Sequence, residues 1–424
     1  MEVVVIGAGV TGVTSAYYLA KAGHTVTVIE RNPAPGMEAS FANAGLLTPG
    51  HAEAWASPAA LKKVVRWFWH EDGPVKIRPR LDPAMWGWLF RFLRNCTQTR
   101  WQENTAKSLR LANYSLRCLA ALREEEGLAF NHQSTGQLML TRQPGALKGW
   151  DEMSRMLRKV GLEMEVTDAG RCIELEPALA RTQELSAVKL VGGIHFPGDE
   201  SGDCLQFTQS LAQLCKEKLG VRFLYEHAVV QVYRHGGAIT ALGLDGGREV
   251  RGDQYVLCAG SQSPLLLRGS GTRLPIYPVK GYSITAPWAE GVGIAPRMAL
   301  SDLDYKFSVS PLGERLRVGG TAEFAGYDAT LSPKRAQAVL RGARRLFPEG
   351  PDYERAVSWS GLRPATPDSA PILGACNLNN LLLNTGHGTL GWTHACGSGK
   401  IIADLVDGKS PEIALDGLGV SRFA

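Results

Sequence analysis

The sequence predicts a mixed architecture, α/β and α+β in one chain. A discontinuous nucleotide-binding domain is expected to interleave with a second domain built on an antiparallel sheet with helices. Three observations predict this. A strand–turn–helix–strand unit opens the chain at residues 2–30. Further αβ-type segments recur in the middle, at 195–274, and at the end, at 351–424. Two stretches of different pattern separate them, a mostly helical one at 51–194 and one of alternating strands at 275–350. The expected division is therefore 1–50, 195–274 and 351–424 against 51–194 and 275–350. A length of 424 residues suits two domains better than one core.

Composition is that of a globular protein, 44% hydrophobic and 21% charged, without an internal repeat or low-complexity tract. A net charge of +5 is too mild to imply nucleic acid, and no nucleic-acid-binding motif is present. The eight cysteines are scattered and none forms C-x-x-C. No metal site and no disulfide framework are expected, and a reducing compartment is the simplest reading. Residues 1–6 already read as a strand, so no signal peptide is expected. No apolar run reaches the roughly 18 residues of a membrane-spanning helix.

The opening unit carries the first chemistry. Its strand runs into "GAGVTG", and Gly23 stops the helix that follows. The next strand, "HTVTVIE", ends in Glu30. Gly7 permits the tight turn, Gly9 lets backbone approach a pyrophosphate, and Gly12 lets helix and strand pack closely. Val10 and Thr11 open the helix whose N-terminus faces the phosphates. Glu30 stands where a carboxylate accepts from ribose hydroxyls. Strand, glycines, helix and acid in register predict a Rossmann-like dinucleotide site. A nicotinamide-type fold would continue with further βαβ units. Here 31–50 is an irregular loop of small residues, suited to close approach of a flat ring, or else an ordinary surface loop.

Further elements follow in order. Residues 104–126 form the clearest amphipathic helix, and 129–141 and 190–196 read as strands. A helix covers 202–220, and two strands follow at 221–234 and 238–246. The hydrophobic strand 253–261 passes Ala259 and Gly260, a second backbone approach point. Residues 275–325 alternate as an antiparallel sheet, and 334–347 form a basic amphipathic helix.

Several motifs together are recognisable: "VVVIGAGVTGVTSAYYLAKAGHTVTVIER", "SFANAGLLTPG", "GDCLQFTQSLAQL", "PVKGYSIT", "GLRPATPD" and "NTGHGTLGWTHACGSG". With them the chain resembles the FAD-dependent D-amino acid dehydrogenases of the small, flavin-bearing subunit type, within the D-amino acid oxidase and glycine oxidase superfamily. The resemblance runs from residue 1 to about 422 and is most specific at the C-terminus. It implies a GR2-type FAD-binding domain. By resemblance, Gly7, Gly9 and Gly12 hold the pyrophosphate, and Glu30 and Arg31 sit at the adenosine ribose. Ser40, Ala42, Asn43, Ala44, Gly45 and Leu46 line the flavin, and Val229 presents backbone to the adenine side. Gly361, Gly386, His387, Gly388, Thr389, Leu390 and Gly391 are expected against the isoalloxazine, where the start of a helix offers free N–H groups to the reduced ring. "GLRPATPD" holds no cysteine, so FAD is expected to be non-covalent.

The implied reaction moves a hydride from the Cα of a D-amino acid to flavin N5. The imine formed is hydrolysed to a 2-oxo acid and ammonia. Arg363 matches the arginine that grips the substrate carboxylate, a task for a planar guanidinium. Tyr282 and Tyr305 are candidate second contacts or core tyrosines. His387 and His51 invite a general-base role, but hydride transfer from a neutral amine needs none, and a structural or flavin-contacting histidine is the preferred reading.

The resemblance favours a quinone or other respiratory acceptor. Residues 55–101 hold Trp55, Trp67, Trp69, Trp86, Trp88 and Trp101, with Lys62, Lys63, Arg66, Arg78, Arg80, Arg91 and Arg94 between them. This is the composition of a membrane-interface surface or of a Trp-rich core under a basic face. The membrane reading places the protein peripherally on the cytoplasmic side of the inner membrane. Two alternatives remain at this stage: an oxygen-using amine oxidase of the glycine, sarcosine or L-proline type, and a non-catalytic dinucleotide-binding sensor. Side-chain preference and oligomeric state are not encoded in any motif.

Overall fold

The computed structural model describes residues 1–60, 73–148, 150–158, 161–289 and 291–423. A six-stranded sheet runs in the order Ile372–Ala375, Leu381–Thr385, Gln254–Leu257, Glu2–Ile6, Thr25–Ile29, Arg222–Leu224. All its pairings are parallel except the outermost, Ile372–Ala375 on Leu381–Thr385. The strand Glu2–Ile6 is buried from Val3 onward, as a central parallel strand must be. The helix Val10–Lys21 returns across this sheet and packs with Gly391–Val406 and Gln98–Glu126 around Val13, Tyr17, Leu111, Tyr114, Trp392 and Ile401.

The second sheet has nine strands. Eight of them run Val357–Ala365, Tyr277–Pro287, Arg315–Phe324, Phe307–Leu312, Ala299–Asp302, Gln137–Thr141, Gly192–Phe196, Glu165–Asp168. Val75–Ile77 adds in parallel to Arg315–Phe324. The helix Pro333–Leu346 closes one face, burying Val339, Ala343 and Leu346 against Ile284, Val318 and Phe307.

Local chemistry explains the element ends. Asp203 accepts from the N–H groups of Leu205 and Gln206 and so starts the helix Cys204–Lys218. Thr97 caps Gln98–Glu126, and Gly127 ends it in the left-handed conformation. The helix expected at 104–126 thus begins six residues earlier. The strand expected over 129–141 is confined to Gln137–Thr141.

Two elements cross the expected domain boundaries. Val357–Ala365 lies in the span assigned to the nucleotide domain, yet it pairs along its whole length with Tyr277–Thr285 of the large sheet. Gln98–Glu126 lies in a span assigned to the other domain, yet its apolar face joins the core around Val10–Lys21. In both cases tertiary pairing, which no local pattern encodes, decides the membership. We propose the expected two-domain division with these two transfers.

Candidate active site

A cavity of about 1910 Å³ is walled by residues of both large sheets. That exceeds the roughly 300–1,000 Å³ of a pocket for one small ligand and suits an extended cofactor with a substrate beside it. At one end lie Gly7, Gly9, Val10, Thr11, Glu30, Arg31 and Val229. Gly7 takes φ +103°, and a Cβ on Gly12 would stand 1.9 Å from the Gly7 carbonyl oxygen. Gly12 therefore acts by letting the helix close on the strand, and it does not line the cavity. Glu30 is held at the strand end by N–H groups of Ala8 (2.8 Å) and Asn32 (2.9 Å). Oε1 also accepts from Asn32 Nδ2 (2.7 Å), so Oε2, with Ala8 as its donor, is the oxygen that keeps a lone pair for a ribose hydroxyl. No side chain caps the helix start through Gly9, although Ser40 Oγ accepts the Val10 N–H at 3.0 Å.

The loop with Ser40, Ala42, Asn43, Ala44 and Leu46 lines the middle of the cavity. Three side chains of the large sheet take three successive carbonyls of this loop. Ser283 Oγ donates to Ala42 O (2.7 Å), Arg317 Nη1 to Asn43 O (2.9 Å) and Ser310 Oγ to Ala44 O (2.6 Å). Gly45, at φ +73°, turns the loop away behind them and does not reach the cavity. These clamps escaped the sequence reading, because three hydroxyl and guanidinium side chains on alternating strands look like any sheet polar residues.

Ala259, Gly260, Gly361 and 386–391 line the other side. The helix Gly391–Val406 starts here without a side-chain cap. Its leading N–H groups and the positive end of its dipole are available to a bound anion or reduced ring. Ring nitrogens define the state of His387. Asn384 donates through Nδ2 to Ser15 Oγ (3.0 Å), so its Oδ1 faces His387 Nε2 at 2.8 Å. Nε2 therefore carries the proton, and Nδ1 is a buried lone pair without a partner. Burial, and secondarily His394, holds the His387 pKa well below the usual histidine range. Burial, with Lys306 second, also lowers His51 to about 4. Both rings are neutral at working pH.

Arg363 lies in the cavity wall. Its guanidinium donates to the Thr321 carbonyl at 2.9 Å, and among the described residues no carboxylate pairs with it. Burial pulls its pKa down to about 10, so the group is still charged at neutral pH. The group has no compensating anion among the described residues, and it stands in the cavity wall, where an anionic ligand has access.

The two tyrosines do not behave as expected. Tyr282 lines the cavity, but its hydroxyl donates to the fully buried Glu323, which Arg78 also binds. Burial pushes the Glu323 carboxyl up, but the hydrogen bonds of Tyr282 and Arg78 and the charge of Lys280 outweigh it and hold it below its ordinary value. The Tyr282 proton is thus committed to Glu323 and is not on offer to a substrate carboxylate. Tyr305 is not in the wall at all. Its ring sits outside between Arg142 and Arg345, stacked with Phe307, and is 38% exposed. It follows the Asp302 turn instead of a strand, so sheet alternation gave no guide to its direction.

A cavity with a helix start at each end, a glycine cradle at one and, in its wall, a guanidinium without a carboxylate partner among the described residues fits an FAD with an anionic substrate. Comparison with known proteins agrees with this geometry. The model of the family described as DAO, FAD dependent oxidoreductase, matches residues 2–405. The chain is 46% identical to a D-amino acid dehydrogenase of Methylobacterium radiotolerans over 100% of both chains. It is 48% identical to a D-amino acid dehydrogenase of Paramagnetospirillum magneticum, over 100% of this chain and 99% of that one. Among solved structures, glycine oxidase from Geobacillus kaustophilus superposes with a TM-score of 0.76 at 22% identity, covering 99% and 98% of the two chains. L-proline dehydrogenase from P. horikoshii gives 0.75 at 20%, covering 100% and 97%. At such identities these structures establish the fold alone.

Proposed function

Because the chain belongs to the DAO family of FAD dependent oxidoreductases, among the D-amino acid dehydrogenases, we propose that it deaminates D-amino acids oxidatively to 2-oxo acids and ammonia. The observation that carries this reading is Arg363, a charged guanidinium in the cavity wall whose one hydrogen-bond partner among the described residues is a backbone carbonyl. FAD, held without a covalent bond, supplies the two-electron acceptor. The chain's own residues bind and orient. Arg363 grips the substrate carboxylate and thereby fixes where Cα lies. The same charge disfavours an ammonium nearby, so the site selects the neutral amine and needs no protein base. Neutral His387 offers a lone pair through Nδ1, and the uncapped helix start at Gly391 supplies positive potential. A non-catalytic sensor would have no use for an unpaired buried guanidinium. The test is an anaerobic panel of D- and L-amino acids, following loss of flavin absorbance. D-isomers are expected to bleach the flavin; bleaching only by L-isomers or N-methyl amines would assign the site to another amine.

For the electrons we propose a quinone or other respiratory acceptor, with the protein peripheral on the cytoplasmic side of the inner membrane. Part of the segment that suggests this, Lys62, Lys63, Arg66, Trp67 and Trp69, lies outside the described residues. What supports it is the helix Pro83–Asn95. It buries Met85, Trp88 and Phe92, yet leaves Trp86 (50%), Phe90 (61%) and Leu93 (51%) exposed, with Arg91 and Arg94 beside them. Trp86, Phe90 and Leu93 also line the cavity, so the exposed apolar stripe borders its mouth. Trp101 and Trp88, by contrast, are core residues. No described helix is long and apolar enough to cross a membrane. Flotation with anionic liposomes is expected to carry the protein at low salt. The Trp86→Ser/Phe90→Ser/Leu93→Ser variant is expected to stay in the soluble fraction. Equal flotation of both would remove this face from the contact.

A further inference from the structure

Thr321 stands at an irregularity of the large sheet. Along the pair Tyr277–Pro287 and Arg315–Phe324, Lys280 faces Glu323 but Tyr282 faces Gly320. One residue, Gly281, is therefore opposed by two, Thr321 and Ala322. This is a β-bulge, and Thr321 takes its left-handed position at φ +58°. Glycine is the usual occupant of such a position, and a β-branched residue there is a conformational outlier. The neighbours make the choice more telling. Gly319 and Gly320 keep negative or extended backbone, and they are glycines for space, since a Cβ would meet Ala44 at 3.1 Å and Phe307 at 2.9 Å. The chain thus places threonine at the one position of V-G-G-T whose backbone asks for glycine.

Two more facts fall on the same residue. The Thr321 hydroxyl is shielded from solvent and has no hydrogen-bond partner among the described residues, a state it shares with the hydroxyls of Tyr114, Ser201 and Thr272, and of these four residues only Thr321 lines the cavity. Thr321 lines the cavity, and its carbonyl receives Nη1 of Arg363 at 2.9 Å. Strain and an orphaned polar atom are both removed by glycine, and both persist beside a cavity-wall guanidinium that has no carboxylate partner among the described residues. Strained conformations of this kind persist where function requires them.

We propose that Thr321 is a second substrate-binding residue. Its bulged carbonyl takes Nη1 of Arg363, and its hydroxyl donates to the carboxylate that the other N–H groups of the guanidinium grip in two prongs. This rests on the carboxylate role of Arg363 stated above. It goes beyond it in naming the donor that replaces Tyr282, whose proton Glu323 occupies.

Three substitutions in the FAD-loaded protein separate hydroxyl, shape and strain. Thr321→Gly keeps the carbonyl, relieves the backbone and removes the hydroxyl. Thr321→Val keeps shape and strain without the hydroxyl, and Thr321→Ser keeps the hydroxyl. Each is read by thermal melting, by the KM and kcat for D-alanine, and by the Kd of pyruvate from flavin absorbance. Thr321→Gly is expected to melt higher than the parent. Thr321→Gly and Thr321→Val should both raise KM and the pyruvate Kd about ten- to a hundredfold with a smaller change in kcat, and Thr321→Ser should restore both. Parental affinity in Thr321→Val overturns the proposal, whatever the glycine variant does, because the hydroxyl then contributes nothing. If no D-amino acid of the panel bleaches the parent protein, the deamination reading falls, while the pyruvate titration still decides the role of Thr321.

Discussion

Arg363→Ala is expected to give a folded protein that keeps its FAD and loses its substrate. Among the described residues Arg363 has one hydrogen-bond partner, the Thr321 carbonyl, so truncation orphans no carboxylate there. It removes a buried, poorly compensated cation, and the melting temperature should hold or rise. The residues proposed for the cofactor line the cavity elsewhere, at Gly7, Gly9, Val10 and Thr11, at Ser40, Ala42, Asn43, Ala44 and Leu46, and at 386–391. Binding of the substrate is another matter. Hydrogen bonds to a charged group contribute about 1.5–3 kcal/mol each, so loss of a two-pronged grip removes about 3–6 kcal/mol. At about 1.4 kcal/mol per tenfold, kcat/KM should fall on the order of a hundred- to ten-thousand-fold. Arg363→Lys should recover little, since an ammonium offers a point charge and no fork, and burial favours its neutral form. Steady-state kinetics with D-amino acids, alongside the flavin content of the purified variant, measure both halves of the expectation. An unchanged KM would remove Arg363 from the site.

What the sequence disclosed of this site follows from how local each feature is. The pyrophosphate cradle was legible because "GAGVTG", its strand, its helix and Glu30 are consecutive, and the six-stranded sheet contains them in that register. Arg363 and the 386–391 loop were legible through motif resemblance, and both line the cavity. The tyrosines were not, because a tyrosine's role depends on its neighbour across the sheet. Tyr282 meets Glu323 only through the pairing of strands about forty residues apart, and Tyr305 sits on a turn that alternation does not describe. Thr321 was hidden for a different reason: its meaning lies in a φ angle that its residue type argues against. The long helix Gln98–Glu126 was found as a helix, but its packing partner was not, since amphipathicity names a buried face without naming what buries it.

Gly281→Ala should produce nearly the phenotype of the arginine substitution without touching the arginine. Gly281 lies opposite the bulge, on the strand paired with Val357–Ala365. A Cβ built there would stand 2.4 Å from both Cζ and Nη2 of Arg363 and 2.6 Å from Nη1. No atoms share such a distance, so something must move. What moves is the end of a long side chain, not backbone, and the fold loses little. The melting temperature and FAD content are expected to stay close to the parent's. Yet the displaced group is the proposed carboxylate clamp, on which the placing of Cα against the flavin would depend. A misplacement of about 1 Å at a reacting centre costs on the order of a hundredfold in rate. The fall in kcat/KM should therefore be of that order, with KM carrying most of it if the guanidinium leaves the cavity. The double variant Gly281→Ala/Arg363→Ala distinguishes this from a general disturbance of the sheet. If alanine at 281 acts by expelling the guanidinium, it should add little once the guanidinium is gone, and the two effects should be far from additive. Additive losses would mean that Gly281 is needed for the sheet and not for the clamp. Parental kinetics in Gly281→Ala would mean that Arg363 does its work from another position.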